Sequence, residues 1–174
     1  MIIIITVLLA VVASIIIIAV IKSKQDEENE YYEAAKNILK EDILDHSLKN
    51  PLKNGSASAQ AAGQRPMIYV KIEGKRDCKY VFDPSKSITV GREKDCSVCV
   101  SEATVSGHHM QIFSSGLRVY ARDLNSLNGI DIKRGMKHYT IQSGGSAEIV
   151  DGDRLTIGMT TIIITIFYFD TLLM

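Results

Sequence analysis

The first 21 residues, Met1 to Ile21, carry no charged side chain and are almost all Ile, Val, Leu and Ala. An α-helix rises about 1.5 Å per residue, so this run makes a rod of roughly 32 Å, enough to cross a hydrocarbon core of about 30 Å. A cleaved secretory signal is the rival reading. Such a signal has a basic start and an apolar stretch of only about 7–15 residues. Here there is no basic start, and Ala10, Ala13 and Ser14 lie mid-run, where cleavage would leave a second apolar stretch behind. The expectation is an uncleaved single-pass anchor over residues 1–22. Lys22 and Lys24 follow it directly, and the positive-inside tendency then places the remaining chain on the cytoplasmic side of the cell membrane.

Residues 23–50 change character. Tyr31, Ala35, Leu39 and Ile43 recur in i, i+4 steps, with Ile38, Leu44 and Leu48 beside them, before Asn50 and Pro51. That pattern predicts an amphipathic helix that stops at the proline. Two readings are open for it: a solvated juxtamembrane stalk, or a helix that forms a homodimer or binds a partner. Sustained heptads, the mark of a coiled coil, are too few to favour the second. Residues 51–66, PLKNGSASAQAAGQRP, are small and polar. They read as a flexible linker with a span on the order of 20 Å, letting the domain beyond sweep the space near the membrane.

The 20 Lys+Arg residues balance the 20 Asp+Glu residues, so the basic footprint of a general nucleic-acid binder is missing. Any anion must be met by a local site. Cys78, Cys96 and Cys99 are an odd set, unlike a secreted disulfide framework and consistent with a reducing compartment. Cys96 and Cys99 form a CxxC, yet a zinc site needs four ligands and no second pair exists, so neither a metal nor a cofactor is expected.

After Pro66 the apolar pattern alternates: Met67, Tyr69 and Lys71 on one side, Ile68, Val70 and Ile72 on the other. Ten further short apolar runs follow, down to 160–169, separated by turn signals such as Asp83-Pro84, Ser115-Gly116, Asn128-Gly129 and Asp151-Gly152. Eleven strands with no helix between them predict an all-β, antiparallel sandwich over residues 67–170. The run TTIIITIFYF at 160–169 is apolar on both sides, as in a central strand, and too short to cross a bilayer as a helix.

Spaced residues go further than periodicity. Gly91-Arg92 is followed by Val105-Ser106-Gly107-His108-His109, then by Asp123-Leu124-Asn125-Ser126-Leu127-Asn128-Gly129, then by Asp151-Gly152-Asp153 with Gly158 closing the turn. This series resembles the forkhead-associated (FHA) domain in order and in spacing. The resemblance implies an eleven-stranded FHA/SMAD-like sandwich whose loops at one end hold a phosphothreonine peptide and catalyse nothing. By position, Arg92 would pair with the phosphate, Ser106 would hydrogen-bond a phosphate oxygen, and Asn128 would hold the peptide backbone. Gly91, Gly107, His109, Ser126, Leu127 and Gly129 would shape the loops. The expected partner is a phosphothreonine-containing protein or peptide. The expected role is a membrane-anchored adaptor in Ser/Thr kinase signalling, by analogy with bacterial proteins of envelope growth and division.

The chemistry supports those residue types. An arginine fork gives a phosphate dianion parallel charge-assisted bonds, and an asparagine amide both donates and accepts, as an extended main chain requires. Gly107 and Leu127 depart from the family pattern, Leu127 standing where a threonine usually contacts phosphate. These departures support an alternative, a scaffold subunit of a membrane complex or secretion apparatus with a degenerate FHA domain. Ser106, His109 and Asp123 supply the residue types of a hydrolase triad, but no nucleophile-elbow sequence surrounds the serine.

Overall fold

The computed structural model describes residues 2–49, 63–75 and 77–170. Helix α1 runs unbroken over Ile2–Lys49. It is long and apolar enough to cross a membrane, with a mean hydropathy of 3.3 over its most apolar 18 residues and none of that window buried. Nothing in the helix breaks at the polar boundary, because Lys22 to Glu41 are mostly good helix formers.

Eleven strands follow: β1 (Gln64–Ile72), β2 (Lys79–Phe82), β3 (Ile88–Gly91), β4 (Val98–Cys99), β5 (Met110–Ser115), β6 (Arg118–Asp123), β7 (Ile130–Arg134), β8 (Lys137–Ile141), β9 (Ser146–Ile149), β10 (Arg154–Ile157) and β11 (Thr160–Asp170). They form two sheets, ordered β2-β1-β11-β10-β7-β8 and β4-β3-β5-β6-β9. Alternate residues of both sheets meet in one core, including Ile68, Val70, Val90, Ile112, Ile132, Leu155 and Ile164. One pairing departs from the antiparallel expectation: β3 and β4 run parallel, Val90 opposite Val98. The chain leaves Gly91, turns through residues 92–97 and comes back alongside itself, with the Val100 N–H on the Gly91 carbonyl at 2.8 Å.

The solvated stalk and the sweeping tether need correction. Tyr31, Ala35 and Leu39, the i, i+4 stripe, pack with Tyr32 and Ile38 on the outer face of β1 and β11, against Met67, Tyr69, Phe167 and Phe169. Ala35 and Leu39 are essentially fully buried. The rings of Tyr31 and Tyr32 each lie 4.9 Å from that of Phe167, within the range where aromatic pairs attract. Strand β1 also opens at Gln64, inside the expected 51–66 linker, because Arg65 is held by Asp42 at 3.1 Å and Asp83 at 2.6 Å. Residues 51–62 of that linker, and the side chains of Ile43, Leu44 and Leu48, lie outside the described residues.

Two carboxylates of α1 bracket this contact. Glu27 accepts from Tyr69 Oη at 2.7 Å and Lys71 Nζ at 2.8 Å, with Lys79 Nζ at 3.3 Å. Asp42 faces Arg65 and Lys86. Lys71 and Tyr69 hold the Glu27 carboxyl down at about 2. Burial alone would raise Asp42, but Lys86 and Arg65 outweigh it and keep it below the usual range. A carboxyl depressed in the folded state stabilises fully above its unfolded pKa, and that contribution is lost as pH falls toward the folded value. Helix docking is therefore expected to be intact at neutral pH and to loosen between about pH 4.5 and pH 2. Amide hydrogen-exchange protection of residues 27–42, relative to β1 and β11, reads this directly. Unchanged protection at pH 2.5 would show that the apolar contact suffices alone.

Candidate functional site

The loops after β3, β4 and β6 meet at one end of the sandwich. Gly91 ends β3 where the chain crosses the 106–108 segment so closely that a Cβ would fall on the Gly107 carbonyl. Only glycine fits there. The next residue, Arg92, gives its N–H to the Ser106 carbonyl at 3.0 Å, and the Glu93 N–H bonds the Gly107 carbonyl at 3.0 Å. Arg92 is exposed, and its guanidinium has no hydrogen-bonding or ionic partner among the described residues.

Ser106 connects the neighbouring loop. Its Oγ accepts from the Leu127 N–H at 3.3 Å, which leaves the hydroxyl hydrogen free to donate. Asn128 is exposed and gives one Nδ2 hydrogen to the Thr104 carbonyl at 3.3 Å, leaving a second hydrogen and Oδ1 for a ligand. Thus Arg92, Ser106 and Asn128, from three separate loops, are brought to one rim by contacts between those loops.

Beneath the rim lies His109, fully buried. Its Nδ1 accepts from the Ser106 N–H at 3.1 Å, and its Nε2 faces the Gly129 carbonyl at 2.9 Å. That pairing fixes the neutral tautomer with the proton on Nε2. Asp123, also buried, takes the Ser126 N–H at 2.8 Å, the Ser126 hydroxyl at 2.5 Å and the Gly144 N–H at 3.0 Å. Ser126 Oγ in turn accepts from the Gly129 N–H at 2.9 Å. Gly129 has φ +72°, and a Cβ there would stand 2.6 Å from the Ile141 carbonyl, so glycine is required twice over. The three triad residue types are therefore not arranged as a triad: the imidazole meets the Ser106 backbone, and Asp123 is spent on Ser126.

A sequence model of the FHA domain family matches residues 88–158, the stretch that carries all of these loops. The sandwich is an FHA domain. Two solved structures agree in fold. The FHA domain of an Arabidopsis thaliana hypothetical protein superposes with a TM-score of 0.51 at 21% identity, covering 64% of this chain and 93% of that one. The FHA domain of the CT664 protein from Chlamydia trachomatis gives 0.50 at 18% identity, covering 57% and 96% respectively. Mycobacterium tuberculosis EmbR, in complex with a low affinity phosphopeptide, gives 0.48 at 25% identity, covering 57% of this chain and 24% of that one. No curated protein matches the chain.

Both departures from the family pattern sit on the rim of the FHA domain. Leu127 is 88% exposed, contributing only its backbone N–H to the loop. At Gly107 the Glu93 side chain occupies the adjoining space, its Cγ 3.1 Å from where a Cβ would stand. Sequence reasoning missed the brace on the far side: Glu102 accepts from Thr104, from Thr160 and from the Met159 N–H at 3.0 Å. The Thr104 and Thr160 hydroxyls hold the Glu102 carboxyl below its ordinary range. This brace ties the Thr104 segment, and with it Asn128, to the β10–β11 turn. Glu102 lies 57 residues from Met159, and no local pattern announces a contact so distant.

Beside the rim, Asp95, Cys96 and His108 bring ligand atoms within 4.8 Å of one another. They are already organised as hydrogen bonds: His108 Nε2 with Asp95 at 3.2 Å, and Cys96 Sγ to the Gly107 carbonyl at 3.4 Å. Burial pushes the Cys96 thiol up, away from the thiolate a metal requires.

Proposed function

We propose that this FHA domain docks phosphothreonine peptides at Arg92, Ser106 and Asn128, as an adaptor that α1 holds at the cytoplasmic face of a membrane and that recruits targets of a Ser/Thr kinase. One observation carries the reading: an arginine fork without a hydrogen-bonding or ionic partner among the described residues stands on the same rim as the Ser106 hydroxyl, which can still donate, and the Asn128 amide, which keeps a donor and an acceptor. The fork and the hydroxyl suit a phosphate, and the amide suits the adjoining main chain.

Charge-assisted bonds are worth roughly 1.5–3 kcal/mol each, so two of them separate a phosphorylated peptide from its plain form by about a hundredfold or more. Titrating the full chain in detergent micelles with a phosphothreonine peptide library and its unphosphorylated twin measures that ratio. Equal weak binding of both sets would sink the adaptor and leave the second reading, a scaffold that assembles a membrane complex through other surfaces. The Glu93 side chain against Gly107 favours that alternative, since it puts a carboxylate beside the phosphate position.

A further inference from the structure

The docked helix gives the FHA domain a direction relative to the apolar run. Contacts pass along the sheet in order. Glu27 meets Lys71, which is paired with Ile163; Tyr31 meets Tyr69 and Phe167; Tyr32 meets Phe167 and Phe169; Asp42 meets Arg65, which is paired with Phe169. The end of α1 that leads back to the apolar run therefore lies over the Thr160 end of β11. The rim hangs from that same end, through Glu102 on Met159 and Thr160 and through Asn128 on the Thr104 carbonyl.

Heights can be compared. Glu27 lies three to five residues beyond Lys24 and Lys22, roughly 5–8 Å along the helix axis. From Ile163, level with Glu27, β11 runs three residues back to Thr160, roughly 10 Å. The rim thus reaches the level at which the apolar run ends, with Leu127 88% and Met159 80% exposed there.

Charge selects what can enter. Glu93 and Asp95 adjoin Arg92 and Lys94 in the chain, with Glu93 against Gly107 and Asp95 on His108, and Glu102 feels Lys75, so the rim carries both signs of charge, not the uniformly basic surface that an anionic bilayer attracts. Those carboxylates instead suit a peptide with basic residues beside its phosphothreonine. Cytoplasmic segments next to membrane spans carry an excess of Lys and Arg.

Resting on the reading above of anchor and site, we infer that the ligand is a phosphothreonine in the basic juxtamembrane segment of another membrane protein. It lies within roughly ten residues of that protein's own span, since extended chain covers about 3.5 Å per residue. An extended segment leaving a neighbouring span reaches a rim at that level directly.

The test uses the full chain in nanodiscs. A fluorophore goes on Leu127→Cys or on Met136→Cys, with Cys78 and Cys99 replaced by Ser, and lipids with nitroxide headgroups serve as quenchers. Met136 is 98% exposed on the β7–β8 turn at the opposite end. Quenching several-fold stronger at 127 than at 136 is expected; equal or reversed quenching overturns the inference while leaving phosphopeptide binding untouched. In a second arm, spanning peptides carry a phosphothreonine either 6 or 30 residues from the span, with Lys or Glu flanks. Capture of the near, Lys-flanked form at least about tenfold better than its Glu-flanked twin supports the inference, and preference for the distant form overturns it. Binding of no phosphopeptide in any format overturns the proposed function as well, even where 127 is the quenched position.

Discussion

Arg92→Ala is expected to weaken phosphothreonine-peptide binding by about two orders of magnitude or more, bringing it close to the level of the unphosphorylated peptide. Two charge-assisted bonds at roughly 1.5–3 kcal/mol each set that size. The fold should not respond, because the guanidinium is exposed, and the structural work of this residue is done by its backbone N–H on the Ser106 carbonyl. Arg92→Lys keeps the charge and loses the fork, so it should recover only part of the affinity. Arg118→Ala is the control: Arg118 is an exposed arginine paired with Glu148 at the opposite end of the sandwich. Isothermal titration of the four proteins against one phosphopeptide and its plain twin decides the matter. If Arg92→Ala binds the phosphopeptide within threefold of the unaltered chain, the phosphate is not held where the rim suggests.

Much of this architecture was legible because its signals are local. Alternation with period two, punctuated by Gly, Pro and Asx turns, marks each strand, and the glycines at 91 and 129 stand where two segments cross too closely for a side chain. The parallel β3–β4 pair was not legible, since two residues leave no periodicity to read. The docking of α1 was half written in the sequence. Its stripe at Tyr31, Ala35 and Leu39 is regular, and Met67, Tyr69, Phe167 and Phe169 put apolar side chains on the sheet face away from the core. An outward aromatic face calls for a cover, and the nearest amphipathic helix precedes it in the chain. What concealed the match was the intervening stretch of small polar residues, which reads as a tether whether or not its two ends are brought together. Glu102 was hidden for a different reason. A lone acidic residue in a loop has no pattern, and only the fold shows that it gathers Thr104, Met159 and Thr160.

The largest expected effect on stability comes from His109→Ala, a residue that touches no ligand. Its ring is fully buried, and both nitrogens are committed, to the Ser106 N–H and the Gly129 carbonyl. Truncation opens a cavity and leaves the Ser106 N–H and the Gly129 carbonyl without the partners they have in the folded chain. Each such group costs about 1–3 kcal/mol, and the lost packing adds to it. The sum is about 3–5 kcal/mol, enough to lower the melting temperature of a domain of about 100 residues by more than about 10 °C. His108→Ala is the matched comparison. His108 is exposed and its ring pairs with the exposed Asp95, so its loss should cost less than about 0.5 kcal/mol. Thermal melts of both variants in micelles, followed by near-ultraviolet circular dichroism of the tyrosines, separate the two roles. Affinity should follow stability at His109 even well below the melt, because its ring joins the Ser106 N–H to the Gly129 carbonyl. A His109→Ala protein that melts within 2 °C of the original would mean that the loops hold each other without it. Asp123 and its bonds to Ser126 and Gly144 would then be the element that sets the site.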